Sequence, residues 1–214
     1  PPTPVSGLAW AYAESWLDDV EQVRVARATA DELGIGSISH ATARLLTLLV
    51  TLTGASNIVE VGTGTGVSGA ALLQGMSSEG VLTSIDLEAE NQRVARETFT
   101  SLGYDHVHTR LITGRALEVL PRLSDKAYDV VFASADRSEY PAVLGQATRL
   151  LRPGGLVVFD QVLSDGHIAE PGRHDAETIA LRDVTHALRD EDQWLPSLLT
   201  VGGGLLIGSL RTTG

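Results

Sequence analysis

Asn57-Ile-Val-Glu-Val-Gly-Thr-Gly-Thr-Gly-Val-Ser-Gly69 is the stretch on which the fold turns. Ile58, Val59 and Val61 form a β-branched, apolar run, the composition of a buried parallel strand. Gly62, Gly64 and Gly66 follow at every second position, and Val67-Ser68-Gly69-Ala70-Ala71-Leu72-Leu73 resumes as a helix. Glycine lets the chain turn with positive φ and leaves bare backbone against a ligand. The helix behind it aims its free N–H groups and positive dipole end at the same point. Strand, glycine turn and helix together predict a nucleotide-like ligand.

Two ligands compete for that pattern. Gly64-Thr-Gly66-Val-Ser-Gly69 satisfies the G-x-G-x-x-G dinucleotide fingerprint, and Asp86 stands where a ribose-binding acid should. Glu60 argues the other way. A carboxylate inside the strand end can face a cationic ligand such as S-adenosylmethionine and would repel a pyrophosphate. The chain before Asn57 also reads as helical, whereas a nicotinamide fold often starts with this strand. S-adenosylmethionine is the preferred reading, with an NAD(P)-dependent oxidoreductase as the alternative.

The 214 residues are expected to form one domain, with residues 1–36 as an N-terminal helical segment serving as cap, dimer contact or substrate wall. A net charge of −11 argues against a nucleic-acid backbone or an anionic membrane surface as partner. The absence of cysteine excludes disulfides and thiolate metal sites. Leu45–Leu52 is too short to span a bilayer, and the opening Pro-Pro-Thr-Pro-Val-Ser-Gly lacks the basic and apolar regions of a signal peptide. The cytoplasm is the expected compartment.

Outward from the glycine turn, apolar runs alternate with helical periodicity. Upstream lie two short helices within 8–33, broken near Leu17-Asp18-Asp19. Behind the Ser39 cap, a helix carries Leu45, Leu48, Leu49 and Leu52 on its expected core face. Downstream, strands are expected at Gly80–Asp86, Val107–Ile112, Tyr128–Ala133 and Leu156–Phe159, with helices between them. Leu195–Val201 and Leu205–Leu210, joined through Gly202-Gly203-Gly204, read as a closing hairpin. This order predicts an α/β, Rossmann-like doubly wound sheet, mostly parallel, with one antiparallel strand near the C-terminus and helices on both faces. Ligands of such sheets sit over the carboxyl ends of the strands, where Glu60, Asp86, Gly114, Ser134, Asp136 and Asp160 fall.

Val59–Ser68, Thr83-Ser-Ile-Asp-Leu87, Gly114-Arg-Ala-Leu-Glu-Val-Leu120, Tyr128-Asp-Val-Val-Phe132, Leu150-Leu-Arg-Pro-Gly-Gly155 and the glycine hairpin occur in one order and spacing. With these motifs the chain resembles the class I methyltransferases, and more closely the small actinobacterial-type branch of the catechol/caffeoyl-CoA O-methyltransferases. The resemblance implies S-adenosylmethionine as cofactor. Glu60, Gly62, Thr63, Gly64 and Gly66 would surround its methionine end, and Ser68 would bond its carboxylate. Asp86 would take both ribose hydroxyls. Leu87 would flank the adenine, Ala116 would lie at its edge, and Ile38 would close over the cofactor. A homodimer and a small hydroxylated acceptor are implied as well.

The departures from the family bear on mechanism. Its fourth strand normally ends Asp-Ala-Asp-Lys, with the first Asp a metal ligand and the Lys a base. Here the segment is Ser134-Ala135-Asp136-Arg137, and the fifth strand ends Asp160-Gln161 in place of Asp-Asn. Mg²⁺ usually needs one or two carboxylates in octahedral geometry, so no family-type metal site is expected. Arg137 stays protonated and cannot be a base. Asp136 and Asp160 are the candidate catalytic groups; Ser134 and Asp136 would also border the cofactor. His167 and His174 are further candidates from the polar loop. Loss of three family residues together raises a second alternative, a cofactor-binding protein without chemistry.

Overall fold

The apolar runs become the strands of one seven-stranded sheet, ordered β3-β2-β1-β4-β5-β7-β6, in a computed structural model that describes residues 6–212. Residues 1–5 of the opening segment and residues 213–214 lie outside the described chain. The strands are β1 (Asn57–Val61), β2 (Val81–Asp86), β3 (Thr109–Thr113), β4 (Tyr128–Ala133), β5 (Leu151–Phe159), β6 (Trp194–Leu199) and β7 (Leu205–Leu210). The first five pair in parallel; β7 runs antiparallel to both β5 and β6. The doubly wound sheet with one antiparallel strand is the expected fold class. Between β1 and β4 the strand order reverses, which opens a crevice at their carboxyl ends.

Side chains of a strand alternate between faces, so each strand feeds two cores. Ile58, Leu82, Val130, Phe132 and Val158 face α2 (Glu21–Leu33), α3 (His40–Thr53), α4 (Val67–Gly75) and α5 (Ala89–Ser101). Val59, Ile85, Val131, Val157 and Phe159 face α6 (Ala116–Val119), α7 (Tyr140–Leu150) and α8 (Ala176–Asp190). The short α1 (Gly7–Glu14) has no buried residue. Among the described residues, no helix is long and apolar enough to cross a membrane.

Three local expectations are corrected. β3 begins at Thr109 rather than Val107, because the Asp105 carboxylate accepts the Val107 amide at 2.9 Å and holds a turn there. β5 begins at Leu151 rather than Leu156. Arg152-Pro153-Gly154-Gly155 stops α7, but a bulge between Tyr128 and Val130 lets the same residues stay alongside β4. On α3 the buried residues are Thr42, Ala43, Leu46 and Val50, while Leu48 and Leu52 are exposed. The reason is close helix packing. A Cβ on Gly75 of α4 would stand 2.5 Å from the Thr47 carbonyl oxygen, and Thr47 Oγ1 donates to the Ala71 carbonyl at 2.8 Å. Small residues select the contact face, and the leucine stripe is displaced outward.

Asp129, buried at the amino-terminal edge of the sheet, ties β4 to β1. Its Oδ2 accepts the Ser56 and Asn57 amides at 2.7 and 2.8 Å, and Arg152 pairs with its Oδ1. Burial pushes this carboxyl up, but Arg152 and the two amides outweigh burial and hold it below its ordinary value. Its folded pKa is therefore depressed. The stability it contributes is present above the unfolded pKa and is lost as pH falls through the folded one. Asp129→Ala strands two amides and is expected to cost about 2 kcal/mol in urea denaturation at pH 7.

Candidate active site

Loops from the carboxyl ends of β1, β2, β4 and β5 meet a strap at residues 35–38 around a cleft of about 460 Å³. Its floor is the glycine turn. Gly62, at φ +97°, passes so close to the next loop that a Cβ would lie 3.1 Å from the Ala135 nitrogen and the Ser134 carbonyl. Gly64, at φ +50°, borders the cleft, and a Cβ there would meet nothing within 4 Å. Bare backbone is thus presented to whatever fills the cleft.

At the β2 end, the Asp86 carboxylate is fixed against this turn. Its Oδ2 accepts the Gly64 amide at 2.9 Å, and its Oδ1 accepts the Glu88 amide at 2.9 Å and Asn91 Nδ2 at 3.2 Å. Each carboxylate oxygen has two lone pairs; Oδ1 is filled by its two donors, and Oδ2 keeps one for a ligand hydroxyl. Asn91, at the start of α5, also borders the cleft. The strap is held from α2. Arg27 Nη1 donates to Ser37 Oγ at 3.1 Å and to the Ile38 carbonyl, while Thr65 Oγ1 donates to the Ala26 carbonyl at 2.8 Å.

Beneath the floor lies a polar chain. Gln92 Nε2 donates to Thr63 Oγ1 at 2.9 Å, Thr63 Oγ1 lies 2.6 Å from Ser84 Oγ, and Ser84 Oγ donates to Glu60 Oε2 at 2.5 Å. Ser68 Oγ donates to Glu60 Oε1 at 2.6 Å. Glu60 is fully buried, and that burial lifts its pKa to about 7 against the lowering effect of the Ser68 and Ser84 hydroxyls; the Asp86 charge raises it further.

The far end is built by β4 and β5. Asp160 is 2% exposed and borders the cleft, and its Oδ1 has no hydrogen-bond partner. Burial lifts its pKa to about 6, opposed by the Gln161 amide and the Arg137 charge. Tyr140 Oη donates to the carbonyls of Ala133 at 3.2 Å and Asp160 at 2.9 Å, pinning the two strand ends together. Burial first, and the Asp160 charge second, keep that phenol protonated. Arg137 borders the same end, with its Nη2 held 3.0 Å from Glu177 Oε1.

Of the residues singled out from sequence, Ile38, Gly62, Thr63, Gly64, Ser68, Asp86, Ser134, Arg137, Asp160 and Gln161 line the cleft. The others stand elsewhere. Glu60 shares a face with Ile58, so alternation along β1 turns it into the helical layer under the glycine turn. Gly66 caps α4 and packs on Phe99, at 3.0 Å from a Cβ placed there. Leu87 is 58% exposed and Ala116 is in the core. Asp136 is exposed; its Oδ1 accepts the Ser138 amide at 2.9 Å and hydroxyl at 2.6 Å, and these bonds hold its pKa down. A carboxylate so satisfied is a weak base. His167 and His174 do not line the cleft. Asn91, Tyr140 and Thr65 were not singled out. Asn91 had a signal, an amide side chain five residues after the strand-end acid, whereas Tyr140 reads as an ordinary core aromatic.

Residues 11–210 match the O-methyltransferase family. A "Probable O-methyltransferase" of Mycobacterium tuberculosis is 42% identical over 206 residues, covering 96% of this chain and 92% of that protein. Among solved structures, a Corynebacterium glutamicum protein has a TM-score of 0.89 at 31% identity, over 95% of this chain and 96% of its own. The O-methyltransferase TomG of Streptomyces achromogenes, involved in tomaymycin synthesis and solved in complex with SAM, has a TM-score of 0.87 at 27% identity over 94% and 95%. By sequence over nearly its whole length, the chain belongs to the O-methyltransferase family.

Proposed function

We propose that the protein transfers the methyl group of S-adenosylmethionine to a hydroxyl of a small acceptor, with Asp160 as base and without a divalent cation. The observation that carries this reading is the buried Asp160 carboxylate, its Oδ1 unpartnered, at the border of the same cleft as the glycine turn and Asp86. Asp86 and Asp160 close β2 and β5, three strand spacings or about 14 Å apart. That span accommodates a nucleoside at one end and a second small molecule at the other.

The chain's groups fit the cofactor. Asp86 and Asn91 offer acceptors and a donor to a ribose, and the free backbone of Gly64 admits close approach. When bound, S-adenosylmethionine supplies an electrophilic methyl on a sulfonium. Most of the acceleration would come from the cleft holding the acceptor oxygen in line with that methyl. With both bound, an oxygen lone pair would form the O–CH₃ bond as the S–CH₃ pair returned to sulfur, and the Asp160 carboxylate at the cleft border would take the hydroxyl proton.

The donors at the far end do not fit a divalent ion. Ser134 supplies a hydroxyl, Gln161 an amide that packs toward Gly203, and Asp160 the single carboxylate, with the Arg137 cation on the same wall. A hard cation calls for more anionic oxygen than this. Leu8, Tyr12 and Trp16 around α1, with the displaced Leu48 and Leu52, are exposed, and that apolar surface supports a homodimer.

The test is methyl transfer to a panel of hydroxylated aromatic acceptors, run with EDTA and with Mg²⁺. Equal turnover in both supports the reading, and turnover that requires Mg²⁺ contradicts its metal-free mechanism. Asp86→Ala is expected to raise the KM for S-adenosylmethionine at least about tenfold, by loss of a charge-assisted bond and of the anchor on the Gly64 amide, with a smaller change in kcat.

A further inference from the structure

We infer that Arg137 is the anchor for an anionic group on the acceptor, and that the acceptors are hydroxylated carboxylic acids. This rests on the methyl-transfer reading above and adds the substrate class. Four observations support it. Arg137 and Asp160 border the same end of the cleft, with Ser134 and Gln161 beside them. Asp160 is nine-tenths and more buried, with Oδ1 unpartnered. Arg137 is held in place by Glu177, which takes one guanidinium nitrogen and is itself fixed by the Ser164 hydroxyl at 3.0 Å. The donor set beside them suits no divalent ion, so the guanidinium is the fixed positive charge of this end.

Those charges restrict what can enter. A fully neutral acceptor leaves the remaining guanidinium donors unmatched. An anion carrying no proton donor meets repulsion from Asp160. A molecule with a hydroxyl beside a carboxylate satisfies both groups: the hydroxyl donates to the Asp160 carboxylate and the carboxylate takes the planar fork of Arg137. The same pairing orients the hydroxyl, because two anchors fix a small rigid molecule where one leaves it free to rotate. The chemical step is then the one given above. The acceptor oxygen gains the methyl, sulfur keeps the bonding pair, the proton goes to Asp160, and the acceptor's carboxylate is unchanged.

The test uses a pair of probes that differ in charge at one position. 2-Hydroxybenzoate and 2-hydroxybenzamide are titrated calorimetrically into the protein saturated with S-adenosylhomocysteine, in EDTA. For the unaltered protein, 2-hydroxybenzoate is expected to bind at least tenfold more tightly than the amide. Arg137→Ala and Arg137→Gln are expected to bring that ratio below threefold, and Arg137→Lys to restore part of it, since a point charge replaces the fork. Binding of S-adenosylhomocysteine to each variant reports that its cofactor end is folded. Equal affinities in the unaltered protein, a ratio that survives Arg137→Ala, or no binding of either probe to the saturated protein would each overturn the proposal. Failure of S-adenosylhomocysteine itself to bind would instead overturn the methyl-transfer reading, and the acceptor proposal with it.

Discussion

Asp160→Asn is expected to lower kcat by about 10²–10⁴, the range contributed by a positioned general base, while S-adenosylhomocysteine binds as before. The amide keeps the size and polarity of the side chain but cannot take the acceptor proton. In the unaltered protein the base must be ionised, so kcat/KM should rise with pH through about 6, where burial has set this carboxyl, and level off above it. The same shift has a stability consequence. The folded pKa, about 6, lies above the ordinary 3.8, so the folded state binds more protons between those values. Stability from this group is full below the unfolded pKa and is lost as pH rises through the folded one. At pH 7.5 the ionised Asp160 therefore weakens the fold, and Asp160→Asn should be more stable by about 2–3 kcal/mol. A variant that is less active and more stable marks a strained functional group. A variant of unchanged activity would remove Asp160 from the mechanism.

Glu60→Gln should separate in the same way under pH, through a group beneath the site. The folded pKa of Glu60 is about 7 against an ordinary 4.5, and burial is the main cause. Stability is lost as pH rises from 4.5 to 7, by about 3 kcal/mol for a shift of this size. Gln cannot ionise, and the Ser68 hydroxyl can turn to accept its amide. Urea denaturation of the ligand-free protein at pH 5 and pH 7.5 should show a fall in stability for the unaltered chain that is smaller by about 2 kcal/mol in Glu60→Gln, since pH 5 already lies above the unfolded pKa. Equal pH dependence in the two proteins would mean that Glu60 stays ionised throughout.

The fold was legible because its signals are local. Val59–Gly69 carries strand, turn and helix in consecutive residues, and the glycine hairpin announces the one antiparallel strand. What could not be read depends on contacts between distant segments. The α3 face was misassigned because leucine periodicity identifies an apolar stripe but not the neighbour. Gly75 and Ala71 on α4 admit a close approach opposite Thr47 and Val50, and that pairing is tertiary. Glu60 shows the same limit within the site. Its place in the motif suggested a ligand, but period-two alternation sends it down toward Ser68 and Ser84. Asp136 and Asp160 looked equivalent as strand-end acids. A local turn at Ser138 satisfies Asp136, whereas Asp160, between the ends of β4 and β5, is buried at the border of the cleft with its Oδ1 unpartnered. Arg137 reads in sequence as a lost base, and its role as a wall of the cleft emerges only once α8 brings Glu177 to it.

Calorimetric titration of S-adenosylhomocysteine into the protein in EDTA tests the central claim most directly. The cleft between Asp86 and Asp160 predicts saturable binding at one site per chain, in the micromolar range, without any added metal. No binding up to millimolar ligand would contradict the assignment of the glycine turn and Asp86 to this cofactor.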